Sequence, residues 1–294
     1  MKIIRHCDLT CFNSYRIPSE CRIAYFPESV EDATALFQRH LSGQKPILLG
    51  SGHNVILASA HYEEPFVIFN GNFNEITVAG HTVTIGAGAF TQTVCEKMLA
   101  HGLSGFEMFY DIPSSIGGAI VMNAGAKDED IAGILQTVTY LDTRHPTPEV
   151  RTIANEEAVF RYRNSLFQQN PDMIVLSATF QLQSDNPVRI KQKMETIKAE
   201  RWAKQPRQYP NAGSVFKRPD GRFVGPMLDE LHLKGYTHGG FRVSPKHSGF
   251  IEKVGPATGQ QLLELIEDIQ QRVRERFGVE LEPEQRIITT NQSR

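Results

Sequence analysis

The sequence predicts an α+β fold of short alternating strands and a few well-capped helices. From Phe66 to Gly88 apolar residues recur at every second position, which is the period of a half-buried strand. Ser29 and Thr258 each precede an amphipathic run whose apolar residues follow at helical spacing. At 294 residues the chain is long enough for a sizeable core and for two or three domains.

Four helices are predicted from their caps and apolar stripes. Side-chain N-caps open three of them, and a glycine ends three. They are expected to begin at Ser29, Thr91, Asn186 and Thr258. The first is expected to end near Gly43, the second and last are closed by Gly102 and Gly278, and the third ends at about Lys204.

The predicted strands are alternating or apolar runs bounded by glycine and other turn residues. A hairpin turn is expected at Ala79 and Gly80, between two of these runs. The runs cover residues 45–49, 66–70, 75–80, 81–88, 136–142, 173–182 and 285–288.

Composition weighs against several classes of function. Lys and Arg total 31 against 33 Asp and Glu, a formal net charge of -2, so no overall field attracts nucleic acid or an anionic membrane. The cysteines and histidines show no metal-ligand spacing, and no run approaches the roughly 20 apolar residues of a membrane span. Residues 1–15 lack the apolar run of a signal peptide. We therefore expect a soluble, cytoplasmic protein without a metal, a nucleic-acid partner or a membrane partner.

The stretch from Ile112 to Ala126 is unlike ordinary core or ordinary surface. It contains three glycines and no charge, and glycine lets a backbone approach a bulky ligand closely. A packed strand and turn explains the stretch equally well. Two further glycine pairs, at 50 and 52 and at 86 and 88, follow or interrupt strands, and three such loops are natural around one extended cofactor. They do not form the dinucleotide fingerprint, because position 55 is Val and no helix pattern follows.

A basic set of residues occupies the last third of the chain. Its members are interleaved with aromatic residues and glycines, which suits either a solvated face or a phosphate-bearing substrate. Ser214 lies among them without the sequence context of a serine hydrolase nucleophile, so a turn residue is the simpler interpretation from the residues alone. The basic residues are Lys204, Arg207, Lys217, Arg218, Lys234, Arg242 and Lys246.

Ten short motifs occur in one order along nearly the whole chain. They read GSGHN, GAG, GLSGFE, IPSSIGGAIVMNAGA, YRNS, NAGSVFKRP, LKGY, GG, VSPKH and LEPEQR. In this order they resemble the UDP-N-acetylenolpyruvoylglucosamine reductase family, in its shorter subtype. The resemblance implies a two-lobed FAD-binding fold of the vanillyl-alcohol-oxidase type with a C-terminal α/β substrate lobe. It implies lobes at 1–60, 61–190 and 191–294, and it allows the last strand to return to the first lobe.

The resemblance also implies a reaction and its participants. Family members use NADPH and FAD to reduce the enolpyruvyl ether of a UDP-amino sugar in peptidoglycan synthesis. The catalytic residues would be Arg163, Ser214 and Glu284, and the substrate contacts would be Lys204, Lys217, Arg218 and His247. The FAD contacts would be Gly50, Ser51, Gly52, His53, Asn54, Gly88, Ile112, Pro113, Ser114, Ser115, Gly117, Gly118, Asn123, Ala124 and Gly125.

The three catalytic residue types suit this reaction. Hydride delivered to the vinyl carbon distal to the carboxylate builds carbanion character beside that carboxylate. Arg163 can stabilise the developing enolate through a charge-assisted contact, with Glu284 orienting it or the substrate. Ser214 can donate the proton to the carbanion carbon if a neighbouring cation such as Lys217 assists it.

The sequence departs from the family pattern beside these sites. Asp111 and Ser114 replace glycines of the family's AGIPG motif, His53 replaces a serine, and Arg218 replaces an asparagine. These changes bear on cofactor and substrate contacts more than on the reaction class. We expect non-covalent FAD and a monomer. Two alternatives stay open: a flavin oxidoreductase of the same scaffold with another substrate, and a non-catalytic paralogue that binds FAD or a nucleotide sugar.

Overall fold

A computed structural model describes residues 1–41, 44–127, 129–219 and 221–290, and the predicted end of the first helix near Gly43 lies outside these ranges. Over these ranges the chain forms seven α-helices, which are α1 (Val30–Ala35), α2 (Thr91–Ala100), α3 (Ile116–Val121), α4 (Leu166–Gln169), α5 (Pro187–Lys204), α6 (Val224–Glu230) and α7 (Gly259–Phe277). The same ranges contain nineteen strands, which are β1 (Lys2–Asp8), β2 (Glu20–Phe26), β3 (Ile47–Leu49), β4 (Val55–Leu57), β5 (His61–Tyr62), β6 (Phe66–Ile68), β7 (Ile76–Ala79), β8 (Thr82–Gly86), β9 (Leu103–Ser104), β10 (Gly125–Ala126), β11 (Glu129–Asp130), β12 (Leu135–Asp142), β13 (Glu149–Ala154), β14 (Met173–Gln181), β15 (Gln183–Ser184), β16 (Thr237–His238), β17 (Phe241–Val243), β18 (Ile251–Lys253) and β19 (Arg286–Ile288). This mixed content confirms the predicted α+β class.

The chain divides into two compact units, each assembled from separate segments. The first comprises residues 1–4, 23–51 and 65–199, and the second comprises residues 5–22, 52–64 and 200 onward. Both units draw residues from each of the three lobes predicted from the sequence, and those lobe boundaries stay a prediction.

The largest sheet of the first unit is antiparallel and has the order β13, β12, β14, β8, β7. Gly80 closes the predicted hairpin between β7 and β8 with a φ of +62°, which glycine adopts without Cβ strain. Val83 and Ile85 of β8 are buried in one core with Val94 of α2 and Ile120 of α3. This core therefore supports the helix inside the stretch from 112 to 126.

A second, smaller core of the first unit lies beside parallel strands. β6 pairs in parallel with β3 and with the last residues of β2. Tyr25, Leu36 and Val67 are buried together there. α1 begins as predicted, because the Ser29 hydroxyl accepts a hydrogen bond from the Asp32 N–H at 3.1 Å. The end of β3 leads directly into the first glycine loop.

The second unit is built around α7. Thr258 and Gln261 form the predicted capping box, and Gly278 ends the helix with a φ of +65°. β19 pairs in parallel with β4, so the last strand returns to the segment that follows the first glycine loop. The apolar stripe of the helix is buried in one core with residues of β17 and β18, and it consists of Leu262, Leu265, Ile266, Ile269 and Val273.

Two classes of feature are missing from the described ranges. None of their helices combines the length and the apolar character that crossing a bilayer requires. They also contain no group of three or more His, Cys, Asp and Glu side chains arranged to hold a metal ion. None of the four cysteines is joined in a disulfide, and Cys11 is exposed whereas the other three are buried.

Candidate functional site

The stretch from Ile112 to Ala126 contains a short helix that the sequence does not predict. α3 follows Ser115, whose buried hydroxyl caps the helix by accepting from the Gly118 N–H at 3.4 Å. The same hydroxyl accepts from the Ser51 N–H at 3.3 Å. A Cβ on Gly50 would lie 2.7 Å from Ser115 Oγ. The first glycine loop therefore packs directly against the start of α3, as convergence on one ligand requires.

The second glycine pair is explained by contacts within the protein. Cβ atoms on Gly86 and Gly88 would lie 2.2 and 1.7 Å from the carbonyl oxygens of Phe73 and Asn72. The Gly88 N–H donates to the Phe73 carbonyl oxygen, and the Gly88 carbonyl accepts from the Gly71 N–H. Close packing accounts for both glycines, and FAD binding by Gly88 stays a prediction.

Asn123 connects the end of the stretch to the turn that carries Arg163. Its buried side chain donates to Asp130 Oδ2 at 2.9 Å and to the Arg161 carbonyl oxygen at 3.1 Å. Arg163 donates through Nη2 to the Gly125 carbonyl oxygen at 2.9 Å. Asn123 and Arg163 have φ angles of +43° and +52°, a strained conformation for non-glycine residues that clusters at functional sites. The guanidinium of Arg163 is therefore held in a fixed direction beside the glycine-rich stretch.

Asp111 and Ser114 are accommodated at the start of this stretch. Asp111 has a φ of +67°, in the left-handed region that favours glycine and that Asp tolerates better than most residues. Its N–H donates to Gln92 Oε1 at 3.2 Å. Thr91 holds the next turn, because its hydroxyl donates to the Ile112 carbonyl oxygen at 2.6 Å and its N–H donates to the Ser114 carbonyl oxygen. The family's glycine preference at position 111 thus has a conformational cause.

The last three residues of the first glycine loop belong to the second unit. Gly52 has a φ of +72°, and a Cβ on it would lie 1.9 Å from the Phe12 carbonyl oxygen. The Ser14 N–H donates to the Gly52 carbonyl oxygen at 3.0 Å. Asn54 donates through Nδ2 to the Glu284 carbonyl oxygen at 3.1 Å. The loop is therefore tied both to residues 12–14 and to the segment of the predicted catalytic carboxylate.

Gly52→Ala is expected to lower the free energy of unfolding by roughly 3 kcal/mol, because left-handed strain and a backbone clash act together. Gly80→Ala is the matched control. Gly80 has a similar φ of +62° but no atom within 4 Å of a built Cβ, so only the strain of about 1–2 kcal/mol applies. Urea unfolding measures both variants, and equal losses would contradict the clash.

His53 lies in the same loop with one ring nitrogen buried. Its Nδ1 has no hydrogen-bond partner within the described residues. Burial, with a smaller contribution from the positive charge of Arg16, lowers the pKa of His53 from 6.5 to about 4. The ring is therefore neutral at pH 7, and its buried nitrogen can hydrogen-bond a ligand.

The lowered pKa of His53 predicts a loss of stability in mild acid. As the pH falls, the unfolded chain takes up the proton first, so the stabilisation is complete above about pH 6.5 and is lost toward pH 4. Between pH 7 and 5, the free energy of unfolding of the FAD-free protein should fall by about 2 kcal/mol more than that of His53→Asn. Urea unfolding at both pH values measures the difference. His145→Asn, at an exposed position, should keep the wild-type dependence, and an unchanged dependence in His53→Asn would contradict the prediction.

Ser214 and Glu284 lie on neighbouring backbone segments of the second unit, whereas Arg163 belongs to the first unit. The Glu284 N–H donates to the Val215 carbonyl oxygen at 2.8 Å, and the Val215 N–H donates to the Gly249 carbonyl oxygen at 3.0 Å. Ser214 itself forms an antiparallel bridge with Phe250. Three segments that are distant in the sequence therefore converge around the predicted proton donor and its carboxylate.

Gln285 supports this arrangement, although no motif in the sequence singles it out. It is buried, and its Nε2 donates to the carbonyl oxygens of Ala212 at 3.1 Å and Ser214 at 3.3 Å. Its Oε1 accepts from the Tyr15 hydroxyl at 3.0 Å. Burial raises the pKa of Tyr15, so that hydroxyl stays protonated and remains a donor.

Lys217 and Arg218 follow Ser214 but have partners of their own. Lys217 forms an ion pair with Glu282. Its predicted assistance to Ser214 is therefore disfavoured, because its ammonium group already faces a carboxylate. The guanidinium of Arg218 lies over the exposed ring of Phe223, 4.5 Å from the ring centroid.

The other two predicted substrate residues, His247 and Lys204, differ in their surroundings. His247 Nδ1 accepts from the Gly249 N–H at 3.1 Å, which leaves Nε2 to carry the ring proton. Burial lowers the pKa of His247, and the nearby carboxylate of Asp229 partly opposes this. Lys204 is the exposed last residue of α5. His247 therefore lies on a segment that pairs with Ser214, and Lys204 ends a helix.

Two models of known families match separate parts of the chain. A model described as the FAD binding domain matches residues 22–152. A model described as the C-terminal domain of UDP-N-acetylenolpyruvoylglucosamine reductase matches residues 205–288. A crystal structure of the reductase from Thermus caldophilus has a TM-score of 0.81 and 26% identity, and the match covers 98% of each chain. The predicted FAD-binding fold with a C-terminal substrate lobe is thereby confirmed.

Whole-chain relatives carry the same name. The UDP-N-acetylenolpyruvoylglucosamine reductase of Caldanaerobacter subterraneus is 41% identical over 82% of this chain and 78% of the relative. The enzyme of that name from Francisella tularensis is 38% identical over 94% of this chain and 97% of the relative. With similarity at this level along nearly its whole length, the chain belongs to the UDP-N-acetylenolpyruvoylglucosamine reductase family.

Proposed function

We propose that this chain reduces UDP-N-acetylglucosamine enolpyruvate to UDP-N-acetylmuramate, with NADPH as the hydride donor and FAD as the bound cofactor. The reaction supplies a peptidoglycan precursor. Family membership along the whole chain favours it over another substrate and over a non-catalytic role. The observation that carries the proposal is the juxtaposition of Ser214 with Glu284 through the Glu284 N–H to Val215 carbonyl hydrogen bond.

The residues that would hold FAD fit that cofactor. The buried Nδ1 of His53 is without a partner in the described residues and offers a hydrogen bond. Ser51 is joined to Ser115 at the start of α3, so two of the predicted FAD-binding segments share one anchor. When bound, FAD accepts a hydride from NADPH and supplies one to the vinyl carbon distal to the substrate carboxylate.

Arg163 would stabilise the negative charge that develops on the substrate. Hydride addition leaves an enolate whose charge is shared with the carboxylate, and a guanidinium can bind both of its oxygens. The Gly125 carbonyl and the turn anchored by Asn123 fix the direction of the guanidinium before the substrate binds. Such preorganisation of a charged donor is a major source of rate enhancement.

Ser214 would donate the proton that completes the reduction. Its hydroxyl is carried by a backbone fixed on both sides, because Gln285 binds the carbonyl oxygen of Ser214 and Gly249 binds the N–H of the next residue. A serine hydroxyl is a weak acid, so its contribution depends on positioning beside the carbanion carbon. Glu284, on the backbone segment that pairs with Val215, would orient the substrate.

The substrate is a small UDP-sugar, and Lys204, Lys217, Arg218 and His247 are proposed as its contacts. Arg218 is suited to a phosphate group, since its planar guanidinium can bind two oxygens and already lies against an aromatic ring. We further propose that the enzyme acts as a monomer in the cytoplasm, where NADPH and nucleotide sugars are available.

An anaerobic assay tests the proposed reaction. The purified protein is mixed with NADPH and UDP-N-acetylglucosamine enolpyruvate, NADPH absorbance is followed, and the product is identified by mass spectrometry. We expect NADPH to be consumed and the product to exceed the substrate by two hydrogens. UDP-N-acetylglucosamine, which lacks the enolpyruvyl group, is the control and should consume none. A protein that binds no FAD, or equal consumption with both sugars, would overturn the proposal.

A further inference from the structure

We infer that Arg16 and His53 together bind the diphosphate of FAD. This inference rests on the proposed function, because it takes FAD as the ligand. It adds a residue, Arg16, that lies far from every glycine loop in the sequence, and it gives the buried nitrogen of His53 a specific partner.

The loop that carries Arg16 is built around one buried amide. Asn13 is 2% exposed, and its Nδ2 donates to the carbonyl oxygens of Leu9 and Ile17, both at 3.0 Å. Its Oδ1 accepts from the Ile17 N–H at 2.9 Å. The Arg16 N–H donates to the Asn13 carbonyl oxygen at 3.0 Å, which closes the turn. The loop is therefore a rigid platform on which Arg16 is displayed.

Arg16 is held in a conformation that only a surrounding structure can impose. Its φ is +54°, in the left-handed region that costs a non-glycine residue about 1–2 kcal/mol. The ammonium of Lys253 donates to the Arg16 carbonyl oxygen at 2.9 Å and supports this turn. Backbone strain of this kind is frequent where a side chain must face a ligand.

The two loops are packed together at Gly52. A Cβ built on Gly52 would lie only 1.9 Å from the Phe12 carbonyl oxygen, so the two backbones are in close contact. The Ser14 N–H also donates to the Gly52 carbonyl oxygen. This contact places the loop of Arg16 beside the residue that follows Gly52. The positive charge of Arg16 also contributes, less than burial does, to the lowered pKa of His53.

Arg16 supplies a positive charge and His53 supplies a hydrogen-bonding nitrogen, and both are available to a ligand. Within the described residues Arg16 is exposed and makes no ion pair, and His53 Nδ1 accepts and donates no hydrogen bond. A guanidinium beside a neutral imidazole suits phosphate oxygens, which accept from both. FAD brings two phosphate groups, whose negative charge a neighbouring guanidinium can neutralise.

The test measures FAD binding by variants of both residues. The flavin is removed, and the dissociation constants for FAD, riboflavin and UDP are measured by titration. Arg16→Gln and His53→Leu should each weaken FAD binding by roughly tenfold or more, as loss of a charge-assisted or buried hydrogen bond implies. Riboflavin, which lacks phosphates, and UDP should bind the variants as they bind the wild type.

Two conservative variants and a control separate binding from folding. Arg16→Lys and His53→Asn retain a cation and a hydrogen-bonding group near Nδ1, and they should recover most of the affinity. Arg5→Gln, at an exposed arginine of the same unit, should bind FAD normally. Wild-type affinity for FAD in Arg16→Gln and His53→Leu would overturn the inference while leaving the proposed reaction intact. Weaker binding of UDP instead of FAD would also overturn it, whereas a wild-type protein that binds no FAD would overturn the proposed function itself.

Discussion

Ser214→Ala is expected to leave reduction of the bound flavin by NADPH unchanged and to slow flavin reoxidation by the enolpyruvyl substrate by about 10²- to 10⁴-fold. The substitution removes the hydroxyl that would protonate the carbanion carbon. It leaves the backbone bonds from Gln285 and Phe250 in place, because neither uses that hydroxyl. The two half-reactions therefore separate proton donation from cofactor binding.

Stopped-flow absorbance of the flavin measures the two half-reactions of Ser214→Ala. Ser184→Ala is a matched control, because Ser184 carries an exposed hydroxyl whose partner is His81. That variant should behave as the wild type in both half-reactions. If Ser214→Ala reoxidised at the wild-type rate, Ser214 would not be the proton donor.

Arg163→Ala is expected to lower the rate of the same reoxidation step by about 10²- to 10³-fold, because the developing enolate loses its charged donor. Arg163→Lys should recover part of the rate, since an ammonium supplies charge without the planar fork. Reduction of the flavin by NADPH should change far less. This split between half-reactions distinguishes enolate stabilisation from a general loss of structure.

Arg161→Ala is the control for Arg163, because both residues lie in the same turn. The Arg161 side chain is exposed, and the contact with Asn123 uses only the Arg161 backbone carbonyl. Arg161→Ala should therefore reoxidise at the wild-type rate. A similar loss in both variants would show that the turn as a whole, rather than the guanidinium of Arg163, is required.

Local signals predicted the capped helices well. Asn186, Thr258 and Gly278 mark the ends of α5 and α7 where the structure has them. These ends are determined by hydrogen bonds between residues a few positions apart, so a short window of sequence contains the cause. The ten ordered motifs likewise predicted the family correctly from the sequence alone.

α3 was missed because its local signal points the other way. Gly117 and Gly118 disfavour a helix, yet a Cβ on Gly117 would lie 3.0 Å from the Cβ of Ala87. Close packing against the turn after β8, which is distant in the sequence, therefore overrides the low helix propensity. Gly86 and Gly88 also cannot be interpreted from the sequence alone. They make room for the backbone of Asn72 and Phe73, and this contact is seen only in the folded chain.

The sequence alone also does not identify the residues that support the site. Gln285 and Asn13 organise the loops of Ser214 and Arg16 through buried amides that bind backbone groups. Amide side chains occur throughout any sequence, and burial alone makes these two important. The pairing of Lys217 with Glu282 was missed for a related reason, because it depends on which segments lie side by side.

Under the proposed function, the FAD-loaded protein passes a hydride from NADPH to an enolpyruvyl ether. The most direct test is an anaerobic titration of the purified protein, followed by its flavin absorbance. One equivalent of NADPH should bleach the flavin, and one equivalent of UDP-N-acetylglucosamine enolpyruvate should then restore the oxidised spectrum. A flavin that stays bleached after the sugar is added, and recovers only on admission of air, would rule out hydride transfer from the flavin to this substrate.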